Sequence, residues 1–384
     1  MSKIYFDHSA TTPVHPDVAQ EMFRYVTGIF GNPSSIHSFG REAKRAVNGA
    51  RAKVAVSIGA KKEEVVFTSG GTESDHLAIK GAAYANRKKG NHIITTAVEH
   101  HAVLHTCKAL EKEGFEITVL PVDAYGMVSP RDVADAVKDN TVLITVMHAN
   151  NEVGTIQPIP EIGEIAREKG ILFHTDAVQS MGKIPVNVSE LKTDLLSISG
   201  HKINAPKGIG ALYIKQGINW RPYNFGGGQE RERRPGTENV PGIVALGKAA
   251  EIAVRNLEEE NSRLTILRDK LIKGITESID HVELCGHPIR RLPNNVNFIF
   301  EFIDGGTMLL NLDMHGVAAS SGSACNTGSV DPSHVLLAMG VPRTAALGSL
   351  RLTLGRGNTE KDVDEFINMM PRIIEKLRPG ASFG

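Results

Sequence analysis

The feature that most constrains this chain is its alternation of short β-branched runs with longer helix-patterned segments over the first two-thirds of its length. The strand candidates are Glu64–Thr68, His92–Thr96, Ile117–Pro121, Val142–Met147, Ile171–His174, Leu195–Ser199 and Gly210–Ile214. Several are continuous apolar runs, the pattern of strands covered on both faces. Helical patterns lie between them, such as Ile162–Lys169, which stops at Gly170 in a C-cap position. This order predicts a mostly parallel sheet with helices on both sides.

The pattern changes after Ile214. A long helical pattern runs from about Ile243 to Ser278, Ala-rich and apolar first, charged around Glu258–Asn261, in the manner of a helix bridging two domains. Beyond it come Val296–Phe302, a Gly/Ser-rich stretch at Ala319–Ser329 and an amphipathic segment at Asp362–Leu377. We expect a large domain over residues 14–258. A smaller α+β domain takes residues 259–384 together with residues 1–13. At 384 residues, 41% of them hydrophobic, the chain can bury cores of that size.

Charge and cysteine usage narrow the function. Lys+Arg and Asp+Glu are both 43, and the pI is ≈ 7.3. Such balance gives no reason to expect nucleic-acid binding or an anionic membrane surface. Met1 to Pro13 lacks the apolar core of a signal peptide, and no apolar run is long enough to cross a bilayer. Three irregularly spaced cysteines, Cys107, Cys285 and Cys325, argue against a disulfide framework or a zinc site. The expectation is a cytoplasmic protein with reduced thiols that acts on a small molecule in a pocket.

Four pieces carry chemistry, each near the end of an expected strand, where open α/β sheets place ligands. Ser69-Gly70-Gly71-Thr72-Glu73-Ser74 opens a helix; its glycines and free N–H groups suit a phosphate, although a plain tight turn reads the same. Asp176 can keep a pyridinium nitrogen protonated, or simply cap a helix. Lys202 follows an apolar strand, where partial burial makes an amine a Schiff-base nucleophile; a solvated loop lysine is the bland alternative. Cys325 lies among small residues, Ser320-Ser321-Gly322-Ser323-Ala324-Cys325-Asn326-Thr327-Gly328-Ser329, which imply an accessible, mobile thiol suited to sulfur relay. Cys107 and Cys285 read as core residues. In this order the pieces fit aminotransferase-like chemistry on pyridoxal phosphate (PLP) with an added thiol.

From end to end the chain resembles the NifS/IscS-type cysteine desulfurases of the class-V aminotransferase family, in the subgroup with a long catalytic loop. The resemblance is carried by Tyr5-Phe6-Asp7, Ala10-Thr11-Thr12-Pro13, Gly31-Asn32-Pro33-Ser34-Ser35, Glu99-His100, Ala149-Asn150-Asn151-Glu152-Val153-Gly154, Ser199-Gly200-His201-Lys202, Ser321-Gly322-Ser323-Ala324-Cys325 and Leu350-Arg351-Leu352-Thr353. It implies a PLP-dependent aminotransferase-like α/β fold of type I. A mostly parallel seven-stranded sheet forms the large domain, beside a smaller α+β domain. It implies an internal aldimine on Lys202 and a cofactor phosphate held by Gly71, Thr72, Ser199 and His201. Asp176 pairs with the ring nitrogen, Gln179 with the ring hydroxyl, and His100 lies over the ring and moves protons. Asn151 and Arg351 bind the substrate carboxylate, and Asn151 also borders the cofactor.

Thr237 matches a position that reaches the phosphate in the other subunit, which implies a homodimer. L-cysteine becomes L-alanine, and sulfur passes to Cys325 as a persulfide, then to a scaffold of the NifU/IscU type for iron–sulfur cluster assembly. That persulfide is also a candidate transient ligand of a nascent cluster. Selenocysteine lysis, a β-eliminating lyase, sulfur supply to tRNA thiolation and a non-catalytic sulfur carrier are the alternatives. His8 stands where many relatives carry Asn, so no substrate contact is carried over to it. His100, His101 and His105 have helical spacing, but no carboxylate follows at metalloprotease spacing.

Overall fold

The computed structural model describes residues 3–321 and 331–378. Its strands are β1 (Ile4–Tyr5), β2 (Val65–Thr68), β3 (His92–Thr96), β4 (Glu116–Leu120), β5 (Thr141–Thr145), β6 (Leu172–Asp176), β7 (Leu195–Ser199), β8 (Gly210–Ile214), β9 (Val282–Leu284), β10 (Asn295–Phe300), β11 (Val317–Ala318) and β12 (Ser349–Thr353).

The larger sheet has seven strands in the order β2-β8-β7-β6-β5-β3-β4. The run from β7 to β4 is parallel, and β8 is antiparallel to both of its neighbours. The apolar runs are continuous because helices cover both faces. Consecutive residues feed opposite cores: Ile93, Leu143 and Leu195 join one cluster, while Ile94, Ile144 and Leu196 join the other. Each such side chain contributes about 1.5–3 kcal/mol on burial, so the apolar residues of β3, β5 and β7 fix the sheet from both faces.

A smaller antiparallel sheet, β12-β10-β9, packs with the helices Leu257–Ser278 and Glu360–Leu377 around Phe298, Phe300, Leu350, Leu352 and Phe366. Thr359 and Asp362 form a capping box at the start of the latter helix. The continuous helical pattern over 243–278 is two helices, Val240–Arg255 and Leu257–Ser278. The Asn256 N–H closes the first helix on the Ile252 and Val254 carbonyls. Glu258, Glu259 and Glu260 then fill the first turn of the second, where a helix dipole favours negative charge.

The N-terminal segment spans both sheets. β1 pairs with β11, and Asp7 bridges to Thr353 of β12. Five residues later Thr12 turns to the larger sheet: its N–H and Oγ1 both donate to the His201 carbonyl (2.9 and 2.8 Å), and Oγ1 accepts the Asn204 N–H (2.9 Å).

Candidate active site

A cavity of ≈ 300 Å³ opens at the C-terminal ends of the parallel strands. It gathers Gly71, Thr72, His100, Asn151, Asp176, Gln179, Ser199, His201, Lys202 and Arg351, residues far apart in the sequence. Thr237 is exposed outside this cavity, and Cys325 lies outside the described residues.

The cradle forms where β2 passes into the helix Gly71–Asn86. A Cβ at Gly71 would sit 2.8 Å from Val178 Cγ2, so only glycine allows this close approach. Glu73 accepts the Ser69 N–H and receives Arg234 Nε at 2.9 Å. That ion pair ties the 229–236 turn, which precedes Thr237, to the cradle.

Asp176 ends β6, and one of its oxygens accepts the Val178 N–H at 2.8 Å. Burial raises its pKa to about 6, while the Val178 bond and the Lys202 charge pull the other way. Gln179 donates from Nε2 to the Ser9 carbonyl at 3.1 Å, and its Oε1 is buried without a partner. Lys202, in the helical turn after β7, donates from Nζ to the Ser9 and Ala10 carbonyls, the latter at 2.7 Å. His201 Nδ1 meets Thr11 Oγ1 at 3.1 Å. Burial, then the Lys202 charge, lower the His201 pKa to about 4.

His100 caps the helix His101–Lys112: its Nδ1 accepts the Ala102 N–H at 3.1 Å. Burial, then Lys202, lower its pKa to about 4, so the ring is neutral at physiological pH. Beneath it, Glu99 is fully buried, accepts Thr96 Oγ1 (2.7 Å) and the Met147 N–H (2.9 Å), and has its pKa raised by burial to about 8. On the far wall, Arg351 donates to the Asn151 carbonyl (3.2 Å) and Asp7 Oδ1 (3.0 Å), leaving Nε buried and unpartnered.

The sequence reading missed several contributors. Ser9 and Ala10 supply acceptors for Lys202, and Asp75 lies in the cavity wall with its Oδ1 3.6 Å from His174 Nε2. Burial and the neighbouring Asp176 raise the Asp75 pKa. Asp75 sits among polar residues of a helix start, where an acidic side chain is unremarkable; backbone carbonyls leave no signal in side-chain identity. His8 does not line this cavity but a second one.

Comparison with known proteins decides the family. The Aminotransferase class-V model matches residues 4–366. A cysteine desulfurase IscS of Methanosarcina thermophila is 58% identical over 98% of this chain and 93% of its own. The chain belongs to the cysteine desulfurases of the class-V aminotransferase family. Among solved structures, a NifS-like protein matches with a TM-score of 0.92 and 40% identity, over 98% of this chain and 100% of its own. SspA in complex with cysteine matches with a TM-score of 0.82 and 38% identity, over 92% and 99%.

Cysteine desulfurases of this family are PLP-dependent enzymes, and the cavity fits that cofactor. Gln179 Oε1 awaits a donor, Asp176 is a buried carboxylate beside it, and the Gly71 approach and Lys202 amine complete a set suited to a phosphorylated pyridine aldehyde. Among the described residues no group of three His, Cys, Asp or Glu could hold a metal, and no helix is long and apolar enough to cross a membrane.

Proposed function

We propose that this desulfurase moves the sulfur of L-cysteine onto Cys325 as a persulfide, releases L-alanine, and supplies sulfur for iron–sulfur cluster assembly. One observation carries the reading: the cavity with Lys202, Asp176 and Arg351 also holds both ends of the Cys325 segment at its rim. Before the segment, Ser320 exchanges backbone hydrogen bonds with Arg351. After it, Ser333 Oγ donates to Glu152, beside Asn151, and His334 Nε2 meets the Glu99 carbonyl at 3.0 Å, beside His100. Five residues of extended chain reach roughly 17 Å, so Cys325 is within range of the cavity.

In this reading Lys202 would carry the cofactor. Gly71, Thr72, Ser199 and His201 would hold its phosphate, Asp176 its ring nitrogen and Gln179 its ring hydroxyl. Bound there, PLP supplies an electron sink for charge at the substrate α-carbon. Arg351, beside Asn151, presents a planar fork to the substrate carboxylate, with Asp7 and the Asn151 carbonyl fixing its angle. The Lys202 amine takes the α-proton. His100 offers an Nε2–H, since its Nδ1 is engaged as an acceptor. Cys325 Sγ, as thiolate, attacks the substrate sulfur; the sulfur–sulfur bond forms, the carbon–sulfur bond breaks, and the carbon leaves as alanine after taking up a proton.

Residues 14–258 would form the PLP-binding domain, with 1–13 and 259–384 as the smaller one. The enzyme would act as a homodimer. Phe23, Val26, Phe30, Ile36 and Phe39 are exposed, with Phe30 and Phe39 stacked at 5.6 Å, an apolar surface suited to a second copy. Exposed Thr237 would then reach the other subunit's cofactor. The sulfur acceptor would be a NifU/IscU-type scaffold in the cytoplasm, where the buried thiols of Cys107 and Cys285 stay reduced.

The test is production of alanine and sulfide from L-cysteine with a reductant, in wild type and Cys325→Ser. Equimolar products lost in the variant are expected. Pyruvate in place of alanine, or activity retained by the variant, would move the function to a lyase.

A further inference from the structure

A second cavity, of ≈ 320 Å³, lies between the two sheets, and none of the cradle residues Gly71, Thr72, Ser199 and His201 line it. Its walls come from the N-terminal segment at His15, from Lys183 beyond β6, from the helix Leu257–Ser278 and from Arg356 beyond β12. Lys183 is only 8% exposed. Its amine donates to the Gln179 carbonyl at 3.0 Å, and among the described residues no carboxylate pairs with it. That bond uses one of its three donors. A buried lysine without a counter-charge is costly, and the active-site chemistry makes no use of this one.

The cavity offers more donors than acceptors. His15 spends Nδ1 on the Asp17 N–H at 3.1 Å, so its neutral ring carries the proton on Nε2. Burial, then the Arg356 charge, lower the His15 pKa. Arg356 is exposed, and among the described residues no carboxylate pairs with it either. The carboxylates of the lining do not balance these groups: both Glu260 oxygens are held by Arg263, at 2.9 and 2.7 Å, and Glu259 is exposed. The other groups facing Lys183 bring no negative charge. His8 has its pKa lowered to about 4 by burial, then by Lys183; His201 has its own lowered to about 4 by burial, then by Lys202. Lys202 is engaged by the Ser9 and Ala10 carbonyls.

We propose that this cavity binds a small tetrahedral oxyanion, of the sulfate or phosphate class, on Lys183, His15 and Arg356. All three have donors to give, and two of them carry a charge that no carboxylate of the lining meets. Burial, then the Lys202 charge, lower the Lys183 pKa to about 7. An anion beside the amine favours its charged form, so above that pH the oxyanion and a proton are taken up together. The occupant touches the N-terminal segment and both sheets' surroundings at once, and a ligand that binds only the folded chain stabilises it.

The experiment is calorimetric titration of the PLP-loaded enzyme with sodium sulfate at constant ionic strength, for wild type, Lys183→Met, Lys183→Arg and Arg356→Gln. Loading with PLP keeps the phosphate cradle occupied, and sulfate stays a dianion throughout. Wild type is expected to bind saturably, and to weaken about tenfold per pH unit above about 7 as the amine loses its proton. Lys183→Met and Arg356→Gln should each lose about tenfold or more at a pH of about 6. Arg356 is exposed, so its variant decides the matter if Lys183→Met does not fold. Lys183→Arg, charged at every pH used, should bind without that pH dependence. A parallel titration with inorganic phosphate shows which oxyanion the site prefers. No saturable heat at a pH of about 6, or equal binding by all four proteins, as general salt exclusion gives, would overturn the proposal. A wild-type affinity that does not change with pH would remove Lys183 from it.

Discussion

His100 uses its two ring nitrogens differently. Nδ1 accepts the Ala102 N–H in the first turn of the helix it caps, so the neutral ring carries its proton on Nε2. With its pKa lowered to about 4, the ring does not titrate near 6.5. The wild-type rate profile is therefore expected to show no acid limb near pH 6.5 that vanishes on His100 replacement. Asparagine is as good a cap as any residue but moves no proton. His100→Asn should keep the melting temperature within a few degrees while kcat falls about 10²–10⁴-fold. Thermal denaturation beside steady-state kinetics checks this; a variant that retains wild-type kcat would exclude His100 from proton transfer.

At the scale of the element, the turn Gln229–Glu232 is unusual. Glu230, Arg231 and Glu232 all take positive φ, 49°, 57° and 64°, a left-handed conformation that costs non-glycine residues about 1–2 kcal/mol each. A buried pair holds it: Arg51 grips both Glu230 oxygens at 2.6 Å and stacks over Phe67 at 4.6 Å, while Glu230 also accepts the Phe67 N–H. Removing one partner strands the other charge, so Glu230→Ala is expected to cost about 3–5 kcal/mol by urea denaturation. A loss below about 1 kcal/mol would mean that the turn stands without this pair.

The same scale shows what the residues revealed in advance. The strands His92–Thr96, Leu195–Ser199 and Gly210–Ile214 were legible as short β-branched or apolar runs between helical patterns, and the neighbouring ends of β2, β6 and β7 bring the cradle, Asp176 and Lys202 to one edge. The break at Asn256 was not legible, because no glycine or proline marks it. Nor were the Ser9 and Ala10 carbonyls, or the pairing of Arg351 with Asp7, since these depend on where distant segments meet. The reversal of β8 left no signal either, because an apolar strand reads the same in both directions.

Across the whole molecule, buried titratable groups pull stability in opposite directions with pH. His148 and His174, lowered to about 4 and about 3 by burial, contribute stability that is full above about 6.5 and lost as the pH falls. Glu99 does the reverse. Its folded pKa, about 8, exceeds the unfolded value, so its contribution is complete below about 4.5 and lost as the pH rises through 8. Glu99→Gln removes this titration. The stability of the variant relative to wild type should therefore climb with pH by about 1.4 kcal/mol per unit between roughly 4.5 and 8. Urea melts across that range measure it, and a flat difference would mean that Glu99 is ionised in the folded protein.

The N-terminal segment sets a further condition on the molecule as a whole. Ile4 pairs with Val317, Ser9 donates to Thr353, and the same segment supplies the carbonyls on Lys202. Residues 4–10 are thus seated only after β12, more than 300 residues later in the chain, has been made. Loop closure over such a separation is entropically slow. Until it occurs, a nascent chain can complete its larger sheet yet lack the Ser9 and Ala10 carbonyls at Lys202, so that this wall of the cavity is finished only after β12 has been made.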